Sequence, residues 1–157
     1  MAEEKLVDAL RNQIKLEEQM VNSMGSLASK MKNAVVRELL NGIALDSRKH
    51  VDILTSIIEL LSAPTALTEH DRDLLREELD RHIELEMKML SRIEELSRGT
   101  GNTKVRFLLD YIASDELRHH RTLKEIQDNV VAKETVTEEE WFDFLYSEAI
   151  SHGAPGG

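Results

Sequence analysis

No cysteine occurs anywhere in the 157 residues. That removes disulfides, thiol catalysis, zinc ribbons and cysteine-held iron–sulfur clusters together. Aromatic residues make up only 4%, with two prolines and seven glycines. Strands draw on aromatic and β-branched side chains, so this shortage, with Leu, Ile, Val, Ala and Met carrying the apolar content, points to an all-α chain. There is no long Lys/Arg run, and the formal net charge is −10. Nothing would neutralise a phosphate backbone, so nucleic acid is not expected as a partner. No apolar run approaches the ~20 residues of a membrane span. The acidic, helix-compatible start MAEEKLVDAL does not read as a signal peptide. The expectation is a cytoplasmic protein of one domain, long enough to bury a core, with no membrane segment.

What the chain does contain is a repeat. Displaced by 69 positions, IKLEEQMV (14–21) falls on IELEMKML (83–90), and VRELLNGIALDSRKH (36–50) falls on VRFLLDYIASDELRH (105–119). Residues 10–57 and 79–126 match without a gap at 17 of 48 positions, well beyond what shared use of Leu and Glu provides. The chain therefore reads as a duplicated helical hairpin. The apolar spacing predicts helices over 3–29, 34–62, 69–98 and 103–132, giving repeats over 3–62 and 69–132 within a four-helix bundle of residues 1–132. Pro64, an N-cap at Thr68, and Gly99 with Gly101 punctuate the breaks. A short C-terminal helix is expected within 133–152, over 138–150, capped by Thr137 with Glu138 to Glu140 in its first turn. Its Trp141, Phe142, Leu145 and Tyr146 would cover an apolar edge of the bundle. Residues 153–157 read as a flexible tail.

Following each helix in steps of three and four gives the expected buried seams. They are Leu6, Leu10, Gln13, Glu17, Met20, Met24, Leu27; then Val36, Leu40, Ile43, Ser47, His50, Leu54, Ile57, Leu61. The second repeat gives Leu75, Leu79, His82, Glu86, Met89, Ile93, Leu96, and then Val105, Leu109, Ile112, Glu116, His119, Leu123, Ile126, Val130. Each seam is apolar except for one polar pair near its middle. A buried ionisable group without a partner costs several kcal/mol, and clustered carboxylates also repel. A hydrogen-bonded polar layer could offset that in one helix. Four helices interrupted at matching places point instead to a metal, because carboxylate oxygen and imidazole nitrogen suit iron, manganese or zinc. His70, His120 and His152 fall off the seams and are expected in solvent.

This pattern resembles the ferritin-like di-iron carboxylate proteins, the superfamily that includes ferritins and rubrerythrins, over about residues 5 to 130. Their bundle supplies one Glu from each of two helices and Glu-x-x-His from each of the other two. Glu17 and Glu86 match the single carboxylates, and Glu116-Leu-Arg-His119 matches a complete Glu-x-x-His. The second helix departs from the pattern, reading Ser47-Arg-Lys-His50. The implied ligands are Glu17, His50, Glu86, Glu116 and His119, for two irons, one carboxylate short. Three completions are open: water with Ser47, substitution by His82, or a single well-bound metal. By the same resemblance Asp115 would orient His50 and Asp46 would orient His119, while Gln13 stands behind the ligands.

The resemblance implies redox chemistry toward dioxygen or peroxide, of a ferroxidase or peroxidase kind. With no cysteine-rich rubredoxin module in these residues, electrons would come from a separate donor. Two other functions stay open: a bundle that sequesters or senses metal, and a structural bundle with a degenerate site. Only residues 63–68 join the two repeats, spanning roughly 20 Å when extended, whereas a 29-residue helix is about 43 Å long. A parallel crossover would need the third helix to unwind at its start. Otherwise the bundle runs up-down-up-down, or a homodimer exchanges hairpins, and a homodimer is the expectation.

Overall fold

The computed structural model describes residues 2–63 and 67–128. Four helices fill almost all of them: α1 (Ala2–Lys30), α2 (Ala34–Ser62), α3 (Glu69–Gly99) and α4 (Thr103–Ile126). No strand occurs among the described residues. The helix expected over 138–150, the tail and residues 129–132 lie outside them. The chain divides into two compact units, Met1–Thr65 and Ala66–Gly157, the first built on the α1–α2 hairpin and the second on α3–α4. No described helix is long and apolar enough to cross a membrane.

Both hairpin turns close in the same way. Asn33 and Asn102, 69 residues apart, hold extended backbone and turn their side chains onto free N–H groups of the next helix. Asn33 Oδ1 accepts from Val36 N at 3.1 Å, and Asn102 Oδ1 accepts from Lys104 N at 3.0 Å. Such a cap is worth about 1 kcal/mol over alanine. Thr68 caps α3 as expected, and Asp71 completes a reciprocal box. Thr68 Oγ1 accepts from Asp71 N at 3.1 Å, and Thr68 N donates to Asp71 Oδ2 at 2.9 Å. Gly99 closes α3 and Gly101 lies in the turn, neither with positive φ. They end the helix through weak helix propensity alone.

Within each hairpin the helices pack along a line that shares only part of the expected seams. On α1 it runs through Val7, Leu10, Ile14, Glu17, Val21, Met24 and Ala28; on α2 through Leu40, Ala44, Ser47, Val51, Leu54 and Ile58. On α3 it takes Leu79, Ile83, Glu86, Leu90, Ile93 and Ser97, and on α4 Leu109, Ala113, Glu116, His120 and Leu123. Nine other apolar seam positions, one residue before the line, are exposed: Leu6, Met20, Leu27, Val36, Ile43, Met89, Leu96, Val105 and Ile112. This corrects the expectation that each seam is buried whole. Each helix carries two adjacent apolar lines, and its hairpin partner takes the one holding Ala28, Ala44, Ser47, Ser97 and Ala113. Side chains that small let two backbones approach.

The α3–α4 unit is fastened at both ends. Leu79 is 5% exposed and packs with Leu67, Leu75, Ile83, Leu123 and Ile126. Near the turn, Ser97 Oγ donates to Asp110 Oδ1, and Arg106 Nη2 donates to Thr100 O at 2.8 Å.

Candidate metal centre

Glu86 on α3 and Glu116 on α4 lie on the hairpin's contact line, with side chains only 18% and 14% exposed. His119, one turn after Glu116, reaches the same place from the line's edge. One ligand atom from each of the three falls within 4.8 Å of the others. His119 Nδ1 stands 3.9 Å from Glu86 Oε1 and 3.8 Å from Glu116 Oε2.

These carboxylates are poorly satisfied. Glu86 Oε2 and Glu116 Oε2 are both buried without a hydrogen-bond partner. Burial pushes the Glu116 carboxyl above the usual carboxylate range. The hydrogen bond and charge of Glu86 add to the rise, while His119 opposes it. Two ionised carboxylates at such a separation repel by roughly 3 kcal/mol at an effective dielectric of about 20. Each unpartnered buried oxygen costs a further 1–3 kcal/mol or so. A shared proton relieves part of this. A divalent cation relieves all of it, and two carboxylates with an imidazole are donors that iron, manganese and zinc accept. The α3–α4 residues fit a metal.

The corresponding place in the α1–α2 unit is satisfied from within. Glu17 is 17% exposed and Ser47 5%. The Ser47 hydroxyl, against the effect of burial, holds the Glu17 carboxyl below the usual range, with help from Gln13 and His50. Gln13 Nε2 donates to Glu17 Oε1 at 3.2 Å, and His50 Nδ1 lies 3.5 Å from the same oxygen. Ser47 and Gln13 are thus brought onto Glu17, beside His50.

The roles expected of Asp46 and Asp115, orienting His119 and His50, join residues of opposite units. Within its own helix, Asp46 accepts from Lys49 Nζ at 3.0 Å and Asp115 from Arg118 Nη2 at 2.8 Å. His82 is exposed, with Nδ1 2.8 Å from the Glu78 carbonyl oxygen, and does not join the Glu86–Glu116–His119 group. His70 is exposed as expected, and His152 lies outside the described residues. His120 is a correction. It is half-buried on the α4 contact line, and its Nδ1 has no partner. Sequence reasoning misses it by placing His119 on the buried line. A signal exists: His120 lies four residues after Glu116 and opposite Val51 in the repeat, and Val51 is buried.

A family model described as Rubrerythrin matches residues 8–127, a span that takes in every residue placed above from Gln13 to His120. No curated protein and no solved structure matches the chain.

Proposed function

The chain belongs to the rubrerythrin family, with its ferritin-like all-α fold, and from that premise we propose that it is an iron-binding protein that oxidises ferrous iron with dioxygen or peroxide. One observation carries the proposal: Glu86, Glu116 and His119 converge within 4.8 Å, leaving two buried carboxylate oxygens without partners. Those three residues would hold one metal, and Glu17 with His50 would serve the second. Iron held there would supply the electrons for reducing the oxidant.

The chain's own residues set the conditions for that chemistry. Glu116 must give up the proton that burial favours, and His119 must bind as the neutral imidazole, so metal uptake releases protons and weakens in acid. His119 is 52% exposed, which leaves an edge of the group open to a small solvent-borne oxidant. Further turnover draws electrons from a separate donor. A second reading, a bundle that holds or senses metal with little turnover, is favoured by Ser47 standing where the other repeat has Glu116.

Anaerobic titration with ferrous iron followed by oxygen tests both. Binding followed by rapid growth of near-ultraviolet ferric absorption is the expected result. Binding without oxidation selects the second reading, and no binding rejects both in favour of a structural bundle.

A further inference from the structure

The two repeats offer a metal different things at equivalent positions. The α3–α4 unit presents two carboxylates and an imidazole, with a buried unpartnered oxygen on each carboxylate. The α1–α2 unit presents one carboxylate and an imidazole. Among the described residues of that unit no buried side-chain oxygen lacks a partner. Glu17 already accepts from Gln13 Nε2, and His50 Nδ1 lies 3.5 Å from it. We infer that the chain binds metal unequally: Glu86, Glu116 and His119 take a first ion tightly, and Ser47 leaves Glu17 and His50 as a weak second position.

The inference rests on the iron-binding reading and deepens it. Charge decides the order, because the α3–α4 donors bring two negative charges to a cation and the α1–α2 donors bring one, and affinity follows the ligand charge count. Ser47 substitutes a neutral hydroxyl for a carboxylate, and the one carboxylate that remains already accepts from Gln13 Nε2, so a cation arriving at Glu17 must first displace that bond. Ser47 is 5% exposed, so the hydroxyl is a built part of the packing line.

The test is an anaerobic calorimetric titration of the full chain with Fe2+, repeated with Co2+, and read as metals bound per chain and their separate affinities. The wild-type chain should bind one ion tightly and a second at least about tenfold more weakly, the scale on which even groups behind the ligands shift metal affinity. Ser47→Glu should convert this to two ions of comparable affinity. Glu17→Gln should spare the tight ion, whereas Glu86→Gln should remove it. Circular dichroism confirms that each variant keeps its helices, and the wild-type and Glu17→Gln titrations decide the matter if Ser47→Glu does not fold. Two equally tight ions in the wild-type chain, no gain in a folded Ser47→Glu, or equal loss of the first ion in Glu17→Gln and Glu86→Gln would each overturn the inference and leave iron binding standing. A wild-type chain that takes up no metal rejects the iron-binding reading itself, and this inference with it.

Discussion

Where α1–α2 carries Gln13, Glu17, Ser47 and Val51, α3–α4 carries His82, Glu86, Glu116 and His120. Seven of the eleven apolar positions along the α1–α2 packing line stay apolar in α3–α4, five of them identical: Leu10 and Leu79, Ile14 and Ile83, Leu40 and Leu109, Ala44 and Ala113, Leu54 and Leu123. The divergence that matters chemically lies among the polar residues. In the first unit Gln13 donates to the one carboxylate and His50 stands beside it. In the second, two carboxylates face each other with an oxygen left over on each, and His120 Nδ1 is buried without a partner. One framework thus supports a self-contained polar pair and a frustrated cluster. A frustrated cluster favours a cation, because an ion bound there would return free energy lost in burying the groups.

The sharpest way to break this comparison is to remove the frustration. Glu116→Ala should weaken binding of the first metal by roughly 100-fold or more, since even changes behind the ligands cost 10- to 100-fold. The same titration on Ser47→Ala should leave the first metal unchanged. A Glu116→Ala chain with undiminished affinity would remove the α3–α4 cluster from consideration. A smaller effect is expected at the neighbouring position on the line. His120→Val copies Val51 into the second unit and should stabilise the metal-free protein by about 1 kcal/mol in urea unfolding, because an unpartnered buried polar atom disappears. Val51→His should do the reverse.

Much of the fold and of the cluster is legible in the amino-acid sequence. The four helices, the Thr68 cap and the polar break at Glu17, Ser47, Glu86 and Glu116 follow from apolar spacing and the 69-residue repeat. What spacing does not decide is which of two adjacent apolar lines meets the hairpin partner. Leu6 and Val7, Met20 and Val21, Leu27 and Ala28 are all apolar, so both lines satisfy the same helical period. The answer lies in side-chain volume at Ala28, Ala44 and Ala113, and choosing the other line sends His120 into solvent. The effect of Ser47 on Glu17 is hidden for a different reason. A serine read against the carboxylate pattern registers as a missing ligand, and only the packed hairpin buries its hydroxyl on the contact line that Glu17 shares.

The two units should also answer pH in opposite ways when metal-free. The Glu116 carboxyl is raised in the folded state. As pH climbs past the ordinary carboxyl value the unfolded chain ionises first, so folded stability falls until the raised folded value is passed. The Glu17 carboxyl is lowered, chiefly by Ser47. Its contribution is present above the ordinary value and is lost as pH falls through the folded one. Melting curves in a chelator, taken from acid to neutral pH, should show Glu116→Gln raising the neutral-pH melting temperature by a few degrees. Glu17→Gln should lower it and flatten the acid side. Shifts of the same sign in both variants would erase the contrast.

The smallest difference sits near the turns, and it shows why a single copied residue need not copy a contact. Ser97 Oγ donates to Asp110 in the second unit, where the first has Ala28 and Asn41. Asn41 instead donates its Nδ2 to Glu38 Oε2 at 3.1 Å, one turn earlier on α2. The residue equivalent to Glu38 is Phe107, which is 63% exposed. Replacing Ser97 with Ala and Asp110 with Asn therefore removes a hydrogen bond without supplying the one its counterpart makes, and should cost about 1 kcal/mol in urea unfolding. Adding Phe107→Glu gives the new Asn its partner three residues back and should recover a few tenths of a kcal/mol, the size of a helix-surface pair. If the double change costs nothing, the Ser97–Asp110 bond contributes nothing to the second unit, and the contrast between the hairpins narrows to the residues around Glu17 and Glu116.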